Sequence, residues 1–538
     1  MKWINKLLQR WKDTMQKTAA GAGIAKEYKT IFELQGVPAF QQFYFFGIFI
    51  WKWIWKGLYK AWHIVPAPTI DKPNGTRTMH RMNMAKAVCA EMAGLVWGEE
   101  CTVDVSMSGR TAEGEDPLNA YVQSVLEKNA FHQKMQESIE EGAALGGAAL
   151  KTWAEIKHDA NGNEIPDTRK IMIGYAMADQ FVPISWDNAK VTEGVFISRI
   201  AKDGWYYTRL EWHRWNGQTY VITNELFRSE IAKGKTADES QDILGVRYPL
   251  NEIYPYLEQE TPIPVGEELF TYWRTPIANN LDDNSPLGMS IYGNALETLH
   301  ALDICHDSFV REFQLGRKRI IVPASAVRQV VDPVTGQLVR YFDATDETYV
   351  ALSTDNPDNL KIQDNSVSLR VEEHVAAINA FLSILCMQVG FSAGTFTFDQ
   401  HTGLKTATEV VSENSKTYKT IKTIQNQLRP AIEHLIRNII DVSILYGVTH
   451  EGKSVESLAS GGYEINVTFD DGVTQDRQTN INEGVMLVGA GLLSKKTFLT
   501  DPKYGIGLTE EDAQKELDQI RAESPASVNA LDIFHTAE

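Results

Sequence analysis

The sequence predicts an α+β protein whose strands and helices are segregated along the chain rather than alternating, and three observations carry that expectation. From Ile171 to Arg274, short β-branched and aromatic runs (GVFISRIA, WYYTRLEWHRW, TYVITNELF, ELFTYWRT) are separated by Gly, Asn and Pro, the pattern of a mostly antiparallel sheet. From Ser285 to Gly390, a helical segment, a group of short strands and a second helical segment follow one another. From Gly403 to Tyr446, Val410, Tyr418, Ile421, Ile424, Leu428, Ile432, Leu435, Ile439 and Val442 recur at steps of three, four or eight, as one face of a single helix requires. Some 40 residues at about 1.5 Å each span roughly 60 Å, enough to cross several layers. Pro430 lacks an amide hydrogen and is expected to kink this helix; two core helices split at Pro430 are the alternative.

Length and charge narrow the function. A chain of 538 residues, 43% hydrophobic, suggests three or four domains by length. The net charge of -18 argues against a general nucleic-acid binder, because adhesion to phosphate needs a basic surface, but it does not exclude DNA that must slide. Residues 1–62 hold ten Lys/Arg against three Asp/Glu, so the amino-terminal arm is electrostatically unlike the body. Cys89, Cys101, Cys305 and Cys386 lie far apart with no CxxC, which indicates neither a disulfide framework nor a zinc site and fits a reducing compartment. No cofactor is expected.

In chain order, residues 1–17 place Trp3, Ile4, Leu7, Leu8, Trp11 and Met15 on one helical face, interleaved with Lys2, Lys6, Arg10, Lys12 and Lys17: an amphipathic helix rather than a secretory leader. Phe43–Trp62, FYFFGIFIWKWIWKGLYKAW, is too short an uncharged run to span a membrane, and Lys52, Lys56 and Lys60 form a polar stripe at i, i+4 spacing. The aromatic face with Trp51, Trp53 and Trp55 has three open readings: docking on a partner, lying on a membrane, or packing on the protein's own body. Thr78 is expected to cap a helix carrying Met82, Ala85, Val88, Met92 and Leu95 inward and stopping at Gly98. One helix is expected from about Pro117 to Ala149, the glycines of EEGAALGGAALK serving close helix packing.

Ser285-Pro286 reads as a helix start, a capping residue followed by proline at the first helical position, for a helix reaching Gly316. RKRIIVPASAVRQVVDPVTGQLVRYFDATDETYVAL then gives strands and a turn, and Ser368–Gly390 a returning helix. GYEINVTFDDGV adds a strand, Gln475–Glu523 short helices with Thr509 opening the last, and Ser524–Glu538 a disordered tail.

Two enzyme readings are weak. Gly447–Ser454 satisfies GxxxxGK[ST], but this phosphate-cradling loop needs a strand before it and a helix after it, and here it follows the long helix. A nucleotide-hydrolysing motor is therefore the alternative function, with a peripheral membrane protein using residues 1–62 behind it. His300 and His306, flanked by Asp303 and Asp307, have acid–base or metal-ligand chemistry, but contacts between neighbouring subunits explain them as well.

Five strings, in order, resemble the portal (connector) proteins of long-tailed bacteriophages: MNMAKAVCAEMAGLVWGE, SPLGMSIYGNALETLHALD, FQLGRKRIIVP, TGLKTATEVVSENSKTYKTI and VTFDDGVTQD. The resemblance covers about 80–500. It implies a non-enzymatic ring of twelve subunits at a capsid vertex, assembled in the host cytoplasm, through which double-stranded DNA is packaged and ejected. It implies as partners the terminase large subunit, head-completion or adaptor proteins, and the major capsid and scaffolding proteins, with no membrane. Mapped here, it implies an arm at 1–64, a wing at 65–284, stem helices at 285–316 and 368–390 around a clip at 317–367, and a tunnel loop at 391–404. The long wing helix and strand follow at 405–474, a crown at 475–523 and a tail at 524–538. Channel-facing residues would be Thr395, Phe396, Thr397 and Phe398, an alternation expected to form a mobile extended lip, with Lys405, Arg317, Lys318 and Arg319 as rings of positive charge. The cations have a plainer reading as helix-end charges or salt-bridge partners, and the loop as a buried helix connection. The arm's Trp51, Trp53, Trp55, Lys52, Lys56 and Lys60 have no assigned role in the family and are taken as partner-facing.

Overall fold

The computed structural model describes residues 27–68, 72–98, 101–107, 116–157, 165, 169–188, 190–230, 243–316, 319–321, 328–331, 336, 338–341, 363–365, 368–398, 414–469, 477–501 and 505–523, and within 319–365 the backbone alone. The expectations for 1–17, the tail, Arg317, Lys318 and Lys405 lie outside these residues.

Helix Gln42–Trp55 (α1) and the short turn Lys60–His63 (α2) lead into strands Ile64–Pro66 (β1) and Thr76–Thr78 (β2), an antiparallel pair. Thr78 therefore pairs with Ile64 instead of capping a helix, and the helix begins at Met84 after Asn83 in the left-handed region (φ 53°). This helix, Met84–Val96 (α3), buries Ala85, Val88 and Met92 as its spacing predicts, with Met82 and Leu95 partly buried. Strand Thr102–Met107 (β3) follows.

The single helix expected from Pro117 is two, Pro117–Lys128 (α4) and Phe131–Leu145 (α5), broken where Ala130 turns to φ 48°. Asp116 caps α4 by accepting from the Leu118 amide at 2.9 Å, with proline at the first helical position. Gly146, at φ 98°, ends α5, and Gly147–Glu155 (β4) is a strand, so the second half of the glycine-rich string changes element type.

The β region forms two sheets. Lys170–Met177 (β5) and Phe270–Arg274 (β12) flank β4. Phe181–Asp187 (β6), Lys190–Lys202 (β7), Trp205–Asn216 (β8), Thr219–Glu230 (β9), Val246–Tyr248 (β10) and Glu260–Ile263 (β11) make the six-stranded sheet in the order β10-β9-β8-β7-β6, with β11 also on β9; every pairing is antiparallel, as predicted. Asp203 and Gly204, both at positive φ, make the two-residue turn between β7 and β8. Tyr206, Tyr207, Trp212 and Tyr220 of these strands are core, while Trp153 on β4 is 41% exposed. The sheets meet at a buried polar junction: Lys151 Nζ lies 2.6 Å from Glu211 Oε1, which also takes the His213 ring at 2.9 Å.

Helix Leu296–Leu315 (α6) starts ten residues later than Ser285-Pro286 suggests. Ser285 Oγ does accept from the Leu287 amide, at 3.3 Å, but it closes a turn, because 287–292 is drawn into the core: Ile291 N donates to Ala143 O at 2.9 Å and Tyr292 OH to Trp51 O at 2.8 Å. Strands Arg319–Ile321 (β13), Arg328–Val331 (β14), Leu338–Tyr341 (β15) and Gln363–Asn365 (β16) pair β13 with β16 and β14 with β15, the expected β cluster between helices. Val371–Val389 (α7) returns, and Gly390 at φ 92° ends it.

The long helix is Ser415–Leu445 (α8), running through Pro430; its expected first turns lie outside the described residues. Ile421, Ile424, Leu428, Ile432, Leu435, Ile439 and Val442 are all buried. It is held along its length by Gln425 Nε2 to Val96 O (3.3 Å), Arg429 to Val467 O, Asn438 Nδ2 to Glu268 O (3.1 Å) and Ser443 Oγ to Tyr121 OH (2.6 Å). Thr449–His450 (β17), Lys453–Ser454 (β18), Val455–Ala459 (α9) and Tyr463–Thr468 (β19) follow, β19 pairing with β3. Arg477–Gly489 (α10), Lys495–Thr500 (α11) and Glu510–Glu523 (α12) are the last elements among the described residues, with Thr509 Oγ1 accepting from the Asp512 amide at 3.2 Å as the sequence suggests.

Candidate functional site

The α6–α7 pair and the segment 390–398, by which α7 is fastened to α8, form the candidate site. α6 and α7 are 20 and 19 residues long, about 30 Å each, and pack as a returning pair. Arg370 at the start of α7 donates to both oxygens of Glu312 near the end of α6, at 3.2 and 3.0 Å. That hydrogen bonding holds the Glu312 carboxyl below the ordinary carboxylate value. Phe309 lies against His374 with ring centroids 5.3 Å apart.

At the other end of α7 the chain turns abruptly onto α8. Gly390 is needed there for two reasons: its φ is in the left-handed region, and a Cβ would press on the Thr420 side chain. Thr420 Oγ1 donates to Gly390 O at 2.8 Å. Ser392 and Thr417, both buried, then make a reciprocal clamp: Ser392 N donates to Thr417 Oγ1 at 2.8 Å and Thr417 N to Ser392 Oγ at 3.3 Å. Thr417 lies in the first turn of α8, where backbone amides have no intrahelical acceptor, so Ser392 acts as a cap delivered from outside the helix. Lys416 Nζ, also in that turn, reaches Met387 O at 2.5 Å.

Beyond the clamp, 392–398 is turn and bend, so the extended lip expected of Thr395, Phe396, Thr397 and Phe398 is not formed. Thr395 folds back onto Ser392 O through its amide (3.3 Å) and hydroxyl (2.8 Å). Phe396 meets the buried Phe391 edge to face at 5.3 Å. Phe398 is 58% exposed while its amide donates to Asn379 Oδ1 on α7 at 3.0 Å. Local contacts to α7 and α8 outweigh the alternation of Thr and Phe. Sequence reading missed Ser392, Thr417 and Thr420; hydroxyls three residues apart at a helix start were the available signal. Of the four cations, only Arg319 is described, by its backbone in β13.

The acidic pair on α6 is structural. Asp303 accepts from His63 Nε2 and from the Met82 amide, each at 2.8 Å. Asp307 receives Arg77 through two bonds, at 2.7 and 2.5 Å, and the His80 amide at 3.1 Å. The Arg77 bonds, with that amide, pull the Asp307 carboxyl below its usual value. His300 stacks on Trp62 at 5.1 Å. These groups bolt the β1–β2 hairpin to α6 within one chain, so Asp303 and Asp307 are engaged structurally rather than as an acid–base or metal pair. Among the described residues no group of three His, Cys, Asp or Glu side chains is placed to hold a metal.

The arm needs correction too. Trp51 and Lys52, taken as partner-facing, are 2% and 6% exposed: Lys52 pairs with Asp179, and Trp51 packs in the main core. Trp53 and Trp55 are half-buried, Trp55 donating to Glu140 at 3.1 Å, and Lys56 and Lys60 are exposed. No described helix is long and apolar enough to cross a membrane.

The Gly447–Ser454 string is a turn and a two-residue antiparallel hairpin, entered from a helix and followed by a five-residue helix that Ser454 itself caps. It lacks the strand–loop–helix that cradles phosphate.

The profile of the family described as Phage portal protein, SPP1 Gp6-like, matches residues 55–529. The chain belongs to the phage portal protein family. No curated protein matches it. Among solved structures, a chain of "Virion of native gene transfer agent (GTA) particle" aligns over 77% of this chain and 88% of its own length, at 11% identity and a TM-score of 0.31. Family membership makes this portal protein a structural component of the phage virion and not an enzyme, in keeping with the disassembled phosphate-loop string and the structural use of Asp303 and Asp307.

Proposed function

We propose that copies of this portal protein assemble into a ring of twelve whose central channel carries double-stranded DNA into and out of the capsid. The carrying observation is the α6–α7 pair, which leaves Ile304, Phe313, Leu315, Val371, Ile384 and Met387 substantially exposed on the described chain. Two neighbouring helices with apolar outward faces are what cyclic repetition buries. In this reading α6 and α7, within 285–316 and 368–390, are the stem and 317–367 is the clip, the docking site for the terminase large subunit and the head-completion or adaptor proteins. Residues 391–404 are the tunnel loop, 65–284 with 405–474 the wing that meets major capsid and scaffolding proteins, and 475–523 the crown. Assembly takes place in the host cytoplasm.

The acidic balance suits DNA that must move, since a channel that bound phosphate tightly would hold its cargo. Thr395, Phe396, Thr397 and Phe398 meet DNA by sterics and weak polar contacts, and Lys405, Arg317, Lys318 and Arg319 add localised positive rings. The clamp Ser392–Thr417 supports this placement, because it anchors the loop's root to a helix fixed in the body. Deleting Ala393–Phe398 is expected to leave rings intact by electron microscopy while impairing DNA translocation or retention. Normal packaging by that variant refutes the loop assignment; light scattering that finds only monomer across salt and concentration refutes the ring.

A further inference from the structure

Helix α1, QFYFFGIFIWKWIW, has one charged residue, and it points the wrong way for a solvated helix. Lys52 is turned inward onto Asp179, its side chain 8% exposed. The opposite face is therefore without charge. It carries Phe43, 45% exposed, with Ile50 and Trp53 half-buried. Phe43, Ile50 and Trp53 follow one another by seven and three residues, so they form one stripe. Exposed Phe40 and Leu281 extend it, Leu281 lying over Gly47, and Asp282 and exposed Asp283 come next in the chain. On the other side of α1 a cleft of about 200 Å³ opens toward the six-stranded sheet, lined by Phe45, Phe49, Ile197, Leu210 and Leu244. The described chain begins beside this cleft: Tyr28 exchanges backbone bonds with Gly245 at 2.9 and 2.8 Å, and Thr30, Ile31 and Phe32 line it.

We propose that residues 1–17 of the same chain dock along this stripe as an amphipathic helix, Trp3, Leu7 and Trp11 covering Phe43, Ile50 and Trp53. Size, reach and charge agree. Seventeen residues as helix are about 25 Å long and the fourteen of α1 about 21 Å, so the two apolar stripes match in extent. Residues 18–26 span up to ~30 Å when extended, more than the length of α1 itself. Lys2, Lys6, Arg10, Lys12 and Lys17 against the single Asp13 make the segment net positive, complementary to Asp282 and Asp283 and to a chain of net charge -18. Each stripe removes the other from water. This inference is independent of the channel.

The test uses full-length protein with Ile50→Cys in a Cys305→Ser background, Cys89, Cys101 and Cys386 being buried. Maleimide labelling at Ile50→Cys is expected to be about tenfold slower than in the same protein carrying Trp3→Ala, Leu7→Ala and Trp11→Ala. A Leu58→Cys control, at a position 44% exposed, is expected to label equally in both. Equal rates at Ile50→Cys overturn the proposal. In a second arm, a flexible bis-maleimide is expected to join Leu8→Cys to Ile50→Cys within one chain. Products found only between two chains of different size assign the face to another copy, and protection that appears only with anionic vesicles assigns it to a membrane; either overturns self-docking.

Discussion

Replacing Thr417 by valine tests whether the clamp at the root of the 391–398 segment holds it in place. Valine keeps the branched shape but removes the acceptor that the Ser392 amide uses at 2.8 Å, and also the 3.1 Å bond between the two hydroxyls. Ser392 and Thr417 are 3% and 5% exposed, so water does not readily replace what is lost. A buried donor left without an acceptor costs about 1–3 kcal/mol, which corresponds to roughly 5- to 150-fold faster opening of the local structure at 1.4 kcal/mol per decade. Hydrogen exchange read on the peptide covering 390–395 is the assay, with Thr423→Val as control, because Thr423 is exposed and its hydroxyl donates only within its own helix, to Lys419 O at 2.7 Å. Exchange is expected to accelerate in Thr417→Val alone. Unchanged exchange at 390–395, or equal acceleration in both variants, refutes the clamp.

Asp307→Asn is expected to lower stability by about 1–3 kcal/mol at neutral pH by weakening the paired hydrogen bonds from Arg77, read by thermal melting. Because the folded pKa is depressed, the wild-type contribution is present above the unfolded carboxylate value of about 3.9 and lost as pH falls through the folded one. Wild type should therefore lose melting temperature more steeply than Asp307→Asn on acidification below that value. Gly142→Ala drives a Cβ into the indole of Trp273 and is expected to cost about 1–3 kcal/mol in denaturant unfolding, whereas Gly204→Ala, with open space around it, meets only the strain of its positive φ. Purified protein and its Lys453→Ala variant are both expected to show no ATP turnover; hydrolysis abolished by that substitution would reinstate the motor reading.

What was legible in the sequence was whatever the local pattern alone decides. The apolar spacing of Ile421 to Val442, the stop at Gly390, the antiparallel strands between Ile171 and Arg274 and the start of the last helix at Thr509 all depend on near neighbours. Local signals failed where distant residues compete. Ser285-Pro286 caps nothing because Met289 to Tyr292 are pulled into the core against Thr275, Ala143 and Trp51. The string after Gly146 becomes a strand because β5 and β12 supply its hydrogen bonds. Lys52 reads as part of a solvated stripe until Asp179, 127 residues on, claims it. Asp303 and Asp307 look like site chemistry because their partners His63 and Arg77 are more than 200 residues away. The clamp was the hardest to see, since two hydroxyl residues 25 apart have no pattern until two helices are brought together.

The fixing of α8 along its whole length has a mechanical consequence. A rod free at its middle absorbs a push by bending; one tied to α3, β19, the loop before β12 and α4 in turn is braced against it. Load applied at its amino-terminal end, where Ser392 and Gly390 are fastened, is therefore delivered some 45 Å away, at Leu445 and the β17–β18 hairpin. Pressure on the 391–398 segment would in this way be passed toward a remote part of the same subunit.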